Sequence, residues 1–291
     1  MKTSGILLVD KPQGLTSHDV VARTRKAAGT RKVGHAGTLD PMATGLLVLG
    51  LNSSTRLLTY LVGLDKEYFA TIRLGQRTDS DDADGEILET ISARDVTDDM
   101  IEAGIARLRG PISQVPSTVS AIKVDGKRAY ALAREGEQVV LKARSVTISA
   151  FEVLSRDGDD LAVRVECSSG TYIRALARDL GADLGVGGHL TALRRTRIGP
   201  FSIDGAHAIE GLDVAAGLIG PAEAASRLFD RLELTDQQAL ELTQGKRFDV
   251  ATPDGSPVAA VTASGRLVGL VTIASGRVRT LVNFPTDEVA E

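Results

Sequence analysis

The order of the predicted strands and helices constrains the fold of this chain more than any other feature of its sequence. Apolar runs typical of strands occupy residues 6–9, 46–51, 68–74, 119–124, 146–154 and 161–167. Helical patterns cover residues 17–28, 53–62, 97–108 and 171–184, the first capped by Thr16 or Ser17. The strands and helices do not alternate regularly, and Asp157-Gly158-Asp159-Asp160 predicts a hairpin between two strands. This irregular order favours an α+β fold with a mixed, mostly antiparallel central sheet.

The C-terminal part of the sequence has a different pattern. A Gly- and Ala-rich stretch after Pro200 predicts helix up to Leu228. Short β-prone runs then follow at residues 258–261, 267–273 and 278–284, with glycine-containing turns between them. Because 291 residues exceed the usual size of a single core, we predict two domains. The first covers residues 1–228, and a small β domain covers residues 229–291.

Composition places the chain among ordinary globular proteins, with 43% hydrophobic and 25% charged residues. The single cysteine, Cys167, cannot form an internal disulfide or a multi-thiolate metal site, which suits a reducing compartment. No uncharged run reaches the roughly 20 apolar residues that span a bilayer. The N-terminus also lacks the cleavage site of a signal peptide. We therefore expect a cytoplasmic protein without a membrane segment.

Charge is distributed unevenly along the chain. The net charge is −4, yet residues 1–40 carry an excess of four positive charges and residues 77–102 an excess of eight negative charges. A further basic cluster contains Arg194, Arg195 and Arg197. Such clusters either contact phosphates or form a solvated charged face, and the sequence leaves both interpretations open.

The densest candidate for a catalytic site is the loop at residues 34–45, which contains three glycines, His35 and Asp40. Catalytic groups often lie on such loops between regular elements. Asp40 precedes Pro41, which disfavours helical backbone geometry for the aspartate and holds its carboxylate at a bend. The alternative from composition alone is an aspartate that caps a turn.

A second candidate is Arg174, predicted in the first turn of a helix that begins near Tyr172. The positive end of the helix dipole disfavours a cation there, so the position predicts an acidic partner. An arginine beside a carboxylate keeps it ionised and oriented, which suits a nucleophile. The alternative is a surface ion pair with Asp179 or Glu166. Sequence alone does not pair Arg174 with Asp40.

A third candidate is Tyr68, which begins a predicted strand in Lys66-Glu67-Tyr68. An aromatic ring flanked by charges can stack on a nucleic-acid base. The alternative is a half-buried tyrosine that packs in the core.

Several other chemistries are excluded or disfavoured by the sequence. It contains no G-x-S-x-G elbow, no P-loop and no complete dinucleotide-binding motif. Its four histidines are far apart in sequence, and Met42 stands where an aspartyl-phosphate enzyme of the haloacid dehalogenase kind needs a second aspartate. The acidic stretch at residues 79–86 lacks the terminal acid of a calcium loop, so we expect a solvated acidic turn there.

Five segments together resemble one family, the bacterial TruB-type tRNA pseudouridine-55 synthases, over roughly residues 5–200. The segments are VDKPQGLTS at residues 9–17, GHAGTLDP at 34–41, KEY at 66–68, LGQRTD at 74–79 and GTYIR at 170–174. Their order along the chain is more specific than any one of them. The predicted C-terminal β domain is similar in position to the PUA-type RNA-binding domain of that family.

The resemblance implies an isomerase that detaches uracil from its ribose, rotates the base and rejoins it through C5, without cofactor or metal. It implies that the target uridine of the tRNA elbow is flipped outward. Asp40 is then the nucleophile, acting at the sugar C1′, at uracil C6 or through a glycal route. The other implied site residues are Tyr68 stacked on the flipped base, Tyr172 and Leu193 lining the pocket, Arg174 orienting Asp40, and His35 filling the gap left in the T loop.

The resemblance also implies tRNA as the partner, with no obligatory protein partner, and we expect a monomer. Two alternatives stay open at this point. One is an RNA-binding or RNA-folding protein with a vestigial site, and the other is a guide-RNA-dependent pseudouridine synthase.

Overall fold

The computed structural model describes residues 3–117, 123–124, 127–128 and 141–284. Contacts divide the chain into two compact units. The first unit comprises Met1–Asp40, Leu46–Val62 and Pro200–Glu291, and the second comprises Pro41–Gly45 and Gly63–Gly199.

Strands predominate among the regular elements of the described residues. The strands are β1 (Gly5–Lys11), β2 (Val33–His35), β3 (Thr44–Leu51), β4 (Lys66–Leu74), β5 (Gln76–Thr78), β6 (Ile87–Thr90), β7 (Gly110–Gln114), β8 (Lys123–Val124), β9 (Lys127–Arg128), β10 (Arg144–Asp157), β11 (Asp160–Cys167), β12 (Gly188–Ile198), β13 (Phe201–Ser202), β14 (His207–Ala208), β15 (Leu218–Ile219), β16 (Arg231–Leu234), β17 (Gly255–Thr262), β18 (Leu267–Ala274) and β19 (Arg277–Asn283). The helices are α1 (Ser17–Ala27), α2 (Leu58–Val62), α3 (Asp98–Leu108), α4 (Ile173–Asp183), α5 (Val214–Gly217), α6 (Pro221–Ser226) and α7 (Asp236–Thr243), and two 3-10 helices cover Asn52–Leu57 and Ile203–Gly205.

In the first unit, β1 lies between β14 and β3. It pairs in parallel with β14 and antiparallel with β15, while β2 pairs antiparallel with β3. Helix α1 packs on these strands with a face that includes Val20 and Val21. The Thr16 side chain caps this helix, and the Asp19 side chain completes the capping box. Gly29 adopts the left-handed backbone predicted to end the helix, with φ of 58°.

In the second unit, β4 lies between β11 and β12 and is antiparallel to both. Strand β10 extends this sheet from β11 to β7, again in antiparallel pairs. The first two residues of β3 pair in parallel with β12, so the sheet is mixed and mostly antiparallel. The described residues thus confirm the predicted α+β class.

Residues 231–283 contain a separate four-stranded sheet in the order β16-β17-β18-β19. The first pair is parallel and the other two are antiparallel. Apolar side chains from both ends of this segment, including Leu232 and Val278, form one buried cluster. The predicted small C-terminal β sheet is present. Helix α7 in the same segment was not predicted, and its capping box at Thr235 and Gln238 is the sequence signal that identifies it.

Residues 200–228 differ from the helix predicted there. They form the short strands β13, β14 and β15, a 3-10 helix and the short helices α5 and α6. Glycines and prolines interrupt the segment, and β14 and β15 obtain their backbone hydrogen bonds by pairing with β1. The helix predicted at residues 53–62 begins as a 3-10 helix, and β10 is longer than predicted.

The strand predicted at residues 119–124 lies outside the described residues except for Lys123 and Val124, which belong to β8. No helix in the described parts of the chain combines the length and apolar character needed to cross a bilayer.

Candidate active site

The loop that carries Asp40 is anchored by buried apolar side chains. Ala36, Leu39, Met42 and Ala43 are all buried, whereas Asp40 is partly exposed. The backbone N–H of Ala36 also donates to the carbonyl of Val48, 2.9 Å away. The anchors fix the loop around Asp40.

Lys11 supports the turn that precedes helix α1. Its side chain is fully buried, and Nζ donates to the carbonyls of Pro12 (3.0 Å) and Leu15 (2.7 Å). A buried ammonium group is stabilised by hydrogen bonds of this kind. Lys11 therefore has a structural role in the turn.

His35 lies on β2, opposite Leu49 of β3. Its ring makes an edge-to-face contact with the ring of His18 on α1, with a centroid distance of 5.9 Å and an interplanar angle of 79°. His35 is only partly exposed, whereas His18 is exposed. The contact is local to the first unit.

In the second unit, Tyr68 and Leu193 lie on neighbouring strands. Tyr68 of β4 is opposite Arg195 of β12, and Leu193 is opposite Ala70. Tyr68 is 7% exposed and Leu193 8% exposed, so both are buried. Arg195 is buried as well, with 1% exposure, which argues against both interpretations of this residue, a phosphate contact and a solvated face.

The start of β3 approaches β12 very closely at Gly45. Thr44 and Gly45 pair with Arg194 and Arg195. Gly45 has φ of 100°, and a Cβ atom there would overlap the carbonyl oxygen of Arg195. Glycine is therefore required at this position, five residues after Asp40.

Arg174 lies at the start of helix α4 and is 3% exposed. Its Nη1 is 3.0 Å from Oδ2 of Asp82 and donates to the carbonyl of Ser80, 2.8 Å away. The other carboxylate oxygen of Asp82 accepts hydrogen bonds from Ser80 Oγ (2.5 Å) and the Asp84 N–H (3.1 Å). A charged pair in the interior needs such additional partners.

This contact corrects two expectations. The acidic stretch at residues 79–86 is not simply a solvated turn, because Ser80 and Asp82 are buried. The ion-pair partner Asp82 was not predicted. Asp179 and Glu166, which were considered as partners for Arg174, instead pair with Arg178 and Arg164.

Tyr172 is the N-cap residue of α4, and its own side chain makes no capping hydrogen bond. The side chain of Gln114 holds its backbone instead. Gln114 Nε2 donates to the Tyr172 carbonyl (3.1 Å), and the Tyr172 N–H donates to Gln114 Oε1 (2.9 Å). Arg178 of the same helix donates to the carbonyl of Val115 (2.7 Å). The end of β7 thus fixes the start of α4.

The residues around Tyr68 have perturbed pKa values. Burial, together with the charge of Arg195, lowers the pKa of Lys66 to about 8. Burial alone would raise the pKa of Glu67, but hydrogen bonds from Thr196 and Arg164 outweigh it and lower this pKa.

Burial raises the pKa of the Cys167 thiol to about 11. The thiol therefore stays protonated at neutral pH.

The predicted site residues fall into two groups. His35 and Asp40 belong to the first unit, and Tyr68, Tyr172, Arg174 and Leu193 belong to the second. Among the described residues, no group of three or more His, Cys, Asp or Glu side chains is placed to hold a metal ion. Sequence reasoning missed Asp82 and Gln114, whose partners are 92 and 58 residues away, respectively.

Comparison with known proteins covers almost the whole chain. Residues 25–173 match the family model described as the N-terminal domain of TruB family pseudouridylate synthases. Residues 174–233 match the tRNA pseudouridylate synthase B C-terminal domain, and residues 229–285 match the tRNA pseudouridine synthase II C-terminal domain.

Similar proteins carry a consistent name. The tRNA pseudouridine synthase B of Leifsonia xyli subsp. xyli is 64% identical, over 99% of this chain and 98% of its own length. The protein of the same name from Streptomyces avermitilis is 52% identical, over 96% of this chain and 97% of its own.

Solved structures share the fold. A chain in an H/ACA RNP bound to a substrate RNA containing 2′-deoxyuridine matches with a TM-score of 0.73 and 25% identity, over 98% of this chain and 87% of that one. A chain in a Cbf5-Nop10-Gar1 complex matches with a TM-score of 0.71 and 27% identity, over 96% of this chain and 84% of that one.

These matches define the chain as a pseudouridine synthase, an isomerase that converts uridine to pseudouridine. More particularly, the chain belongs to the TruB family, as the five sequence segments predicted.

Proposed function

We propose that this chain isomerises uridine to pseudouridine at position 55 in the T loop of tRNA, without cofactor or metal, with Asp40 as the nucleophile. The observation that carries the proposal is the position of Asp40. It is a partly exposed aspartate on a loop that buried neighbours anchor on both sides. The names of the full-length relatives support tRNA as the substrate.

The chemistry requires an ionised carboxylate and a confined base. The bond between uracil N1 and the sugar C1′ breaks, the base rotates, and a bond forms between C5 and C1′. The C5 proton is lost and N1 gains a proton, so the product is an isomer of the substrate. Asp40 attacks C1′, attacks uracil C6 or assists departure of the base in a glycal route, and each route needs its negative charge.

The remaining site residues bind and orient the flipped uridine. Tyr68 stacks on the base, and Tyr172 and Leu193 line the other side of its pocket. Arg174 supplies positive charge to the substrate-binding site. His35 fills the gap that the base leaves in the T loop. Flipping costs a few kcal/mol of unstacking, which these contacts offset.

Exposed basic side chains on and after helix α1 are proposed to contact tRNA phosphates. They are Arg23, Arg25, Lys26, Arg31 and Lys32. The affinity for tRNA should therefore fall as the salt concentration rises. We further propose that residues 229–291 form a PUA-like RNA-binding domain after a catalytic domain of residues 1–228.

The proposed enzyme is a cytoplasmic monomer that needs no protein partner. The competing function is guide-RNA-dependent modification, and the solved H/ACA RNP structure is the observation that raises it. The identities of 52–64% with proteins named tRNA pseudouridine synthase B favour the stand-alone enzyme.

The test is incubation of the purified chain with an unmodified tRNA transcript in EDTA, followed by carbodiimide-blocked reverse transcription to map pseudouridine. We expect one stop, at position 55. A transcript with cytidine at that position is the matched control and should give no stop. Tight binding to tRNA without modification would contradict the proposal and favour the RNA-binding or guide-dependent alternative.

A further inference from the structure

Ser17 makes two hydrogen bonds to the residue that precedes Asp40. Ser17 is the first residue of α1 and is 1% exposed. Its Oγ donates to the carbonyl of Leu39, 3.1 Å away, and accepts from the N–H of the same residue, 2.9 Å away. One buried hydroxyl thus satisfies both backbone groups of Leu39.

These contacts restrict the position of Asp40. The Leu39 carbonyl belongs to the planar peptide group that also contains the Asp40 nitrogen and Cα. Fixing that carbonyl therefore fixes the orientation of the plane from which the aspartate extends. On the other side, Pro41 restricts Asp40 to extended backbone geometry. The backbone of Asp40 is constrained from both directions, with Ser17 providing the constraint on the N-terminal side.

The hydroxyl of Ser17 is itself held by a rigid element. Thr16 caps α1, since its Oγ1 accepts from the Asp19 N–H (3.1 Å) while its own N–H donates to Asp19 Oδ2 (2.8 Å). The Thr16 hydroxyl also donates to Asp19 Oδ2 (2.6 Å), and this bond together with that of the Thr16 N–H lowers the pKa of Asp19, which keeps the carboxylate ionised. The helix start is therefore a fixed support, and the buried side chain of Leu39 adds a second anchor.

We infer that Ser17 is a positioning residue for Asp40: its hydroxyl orients the peptide plane from which the nucleophile extends, through paired hydrogen bonds to Leu39. This inference rests on the proposed role of Asp40. A hydroxyl that only stabilised the fold would affect unfolding, whereas a positioning hydroxyl affects the chemical step. A displacement of about 1 Å can slow a reaction by roughly 100-fold.

The test compares Ser17→Ala with a matched variant of the same helix. Thr24 is also buried, and its Oγ1 donates only within the helix, to the carbonyl of Val20 (2.9 Å). Thr24→Val thus removes a buried hydroxyl whose hydrogen bond lies within the helix. Single-turnover release of tritium from uracil C5 of tRNA measures the chemical step. Equilibrium binding to tRNA and the thermal midpoint are measured on the same preparations.

We expect Ser17→Ala to lower the single-turnover rate by about 10- to 100-fold, with tRNA affinity unchanged within about twofold. Thr24→Val should keep the wild-type single-turnover rate, although its thermal midpoint falls by about as much as that of Ser17→Ala. A Ser17→Ala rate within twofold of wild type overturns the inference, as does equal slowing in Thr24→Val. If Ser17→Ala does not fold, Ser17→Cys is tested in its place, because a thiol is a weaker hydrogen-bonding group than a hydroxyl. A single-turnover rate of Ser17→Cys equal to that of the wild type then overturns the inference.

Asp40→Asn in the same assay separates this inference from the proposed function. If Asp40→Asn is inert and Ser17→Ala reacts at the full rate, only the inference fails. If Asp40→Asn reacts at the wild-type rate, the proposed nucleophile is wrong and the inference fails with it.

Discussion

The guanidinium of Arg174 forms an ion pair with Asp82, with 3.0 Å between Nη1 and Oδ2 and no more than 6% exposure of either side chain. Desolvation of two charges can cost as much as their attraction gains. Here the Ser80 carbonyl, the Ser80 hydroxyl and the Asp84 N–H provide further hydrogen bonds. The pair therefore fixes the orientation of Arg174 at the start of α4.

Removal of Asp82 should strongly destabilise the protein. Asp82→Ala leaves the charge of Arg174 buried without this partner, and such a change costs about 3–5 kcal/mol. Asp84→Ala is the control, because the Asp84 side chain is exposed and only its backbone contacts Asp82; it should change stability by less than about 0.5 kcal/mol. Urea denaturation measures the free energy of unfolding of both variants. Equal values for Asp82→Ala and Asp84→Ala would contradict the structural role of the ion pair.

Substitution of Gln114 should loosen the start of α4. Gln114→Leu removes both hydrogen bonds to the Tyr172 backbone and should cost about 1–3 kcal/mol. Hydrogen exchange at the Tyr172 amide should accelerate. Gln114→Glu keeps the acceptor for the Tyr172 N–H but loses the donor and buries a carboxylate beside the Tyr172 carbonyl, so it should loosen the start of α4 as well. An unchanged exchange rate of the Tyr172 amide in Gln114→Leu would show that the two Gln114 hydrogen bonds are not needed to hold the start of α4.

Gly45→Ala should be far more damaging than Gly29→Ala. Both glycines have positive φ, which costs an alanine about 1 kcal/mol. A Cβ at Gly29 meets open space, whereas a Cβ at Gly45 overlaps the Arg195 backbone and forces the two strands apart. We expect Gly29→Ala to lower the free energy of unfolding by about 1 kcal/mol and Gly45→Ala to lower it by at least about 3 kcal/mol. Thermal or chemical unfolding measures both stabilities. Similar losses in the two variants would contradict the close approach of Gly45 to the Arg195 backbone.

Lys66 should make stability depend on pH in the alkaline range. Its pKa is about 8 in the folded protein against an ordinary 10.5. Below pH 8 the ammonium is charged in both states, and the folded state bears the full cost of burying it. Between pH 8 and 10.5 the folded state releases this proton while the unfolded chain retains it. The wild type should therefore gain stability relative to Lys66→Met across this range, and a constant difference between them would contradict the lowered pKa.

Local signals in the sequence were sufficient for much of the fold. The capped start of α1, the left-handed Gly29 and the turn at residues 157–160 each depend on neighbours within a few residues, and the structure contains all three. The placement of Asp40 on a loop between regular elements was predictable for the same reason, although strand β2 was not predicted. The C-terminal strands were marked by the turns between them.

The contacts that sequence did not predict join distant residues. Asp82 was expected to be solvated because its neighbours are acidic, but Arg174 lies 92 residues further along the chain. Arg195 was expected at the surface because it lies among other arginines, yet it is buried on β12. Pairing of β14 and β15 with β1 likewise prevents residues 200–228 from forming one continuous helix. Only tertiary structure reveals these partners.

The carboxylate of Asp40 is proposed to perform the chemistry. Asp40→Asn removes the charge but keeps the shape of the side chain, so binding of tRNA should be retained while the chemical step is lost. The measurement is pseudouridine formation in an unmodified tRNA transcript under single-turnover conditions, with tRNA affinity measured in parallel. We predict no detectable product from Asp40→Asn at wild-type affinity. Product formation by this variant within about tenfold of the wild-type rate would contradict the role of Asp40 as the nucleophile.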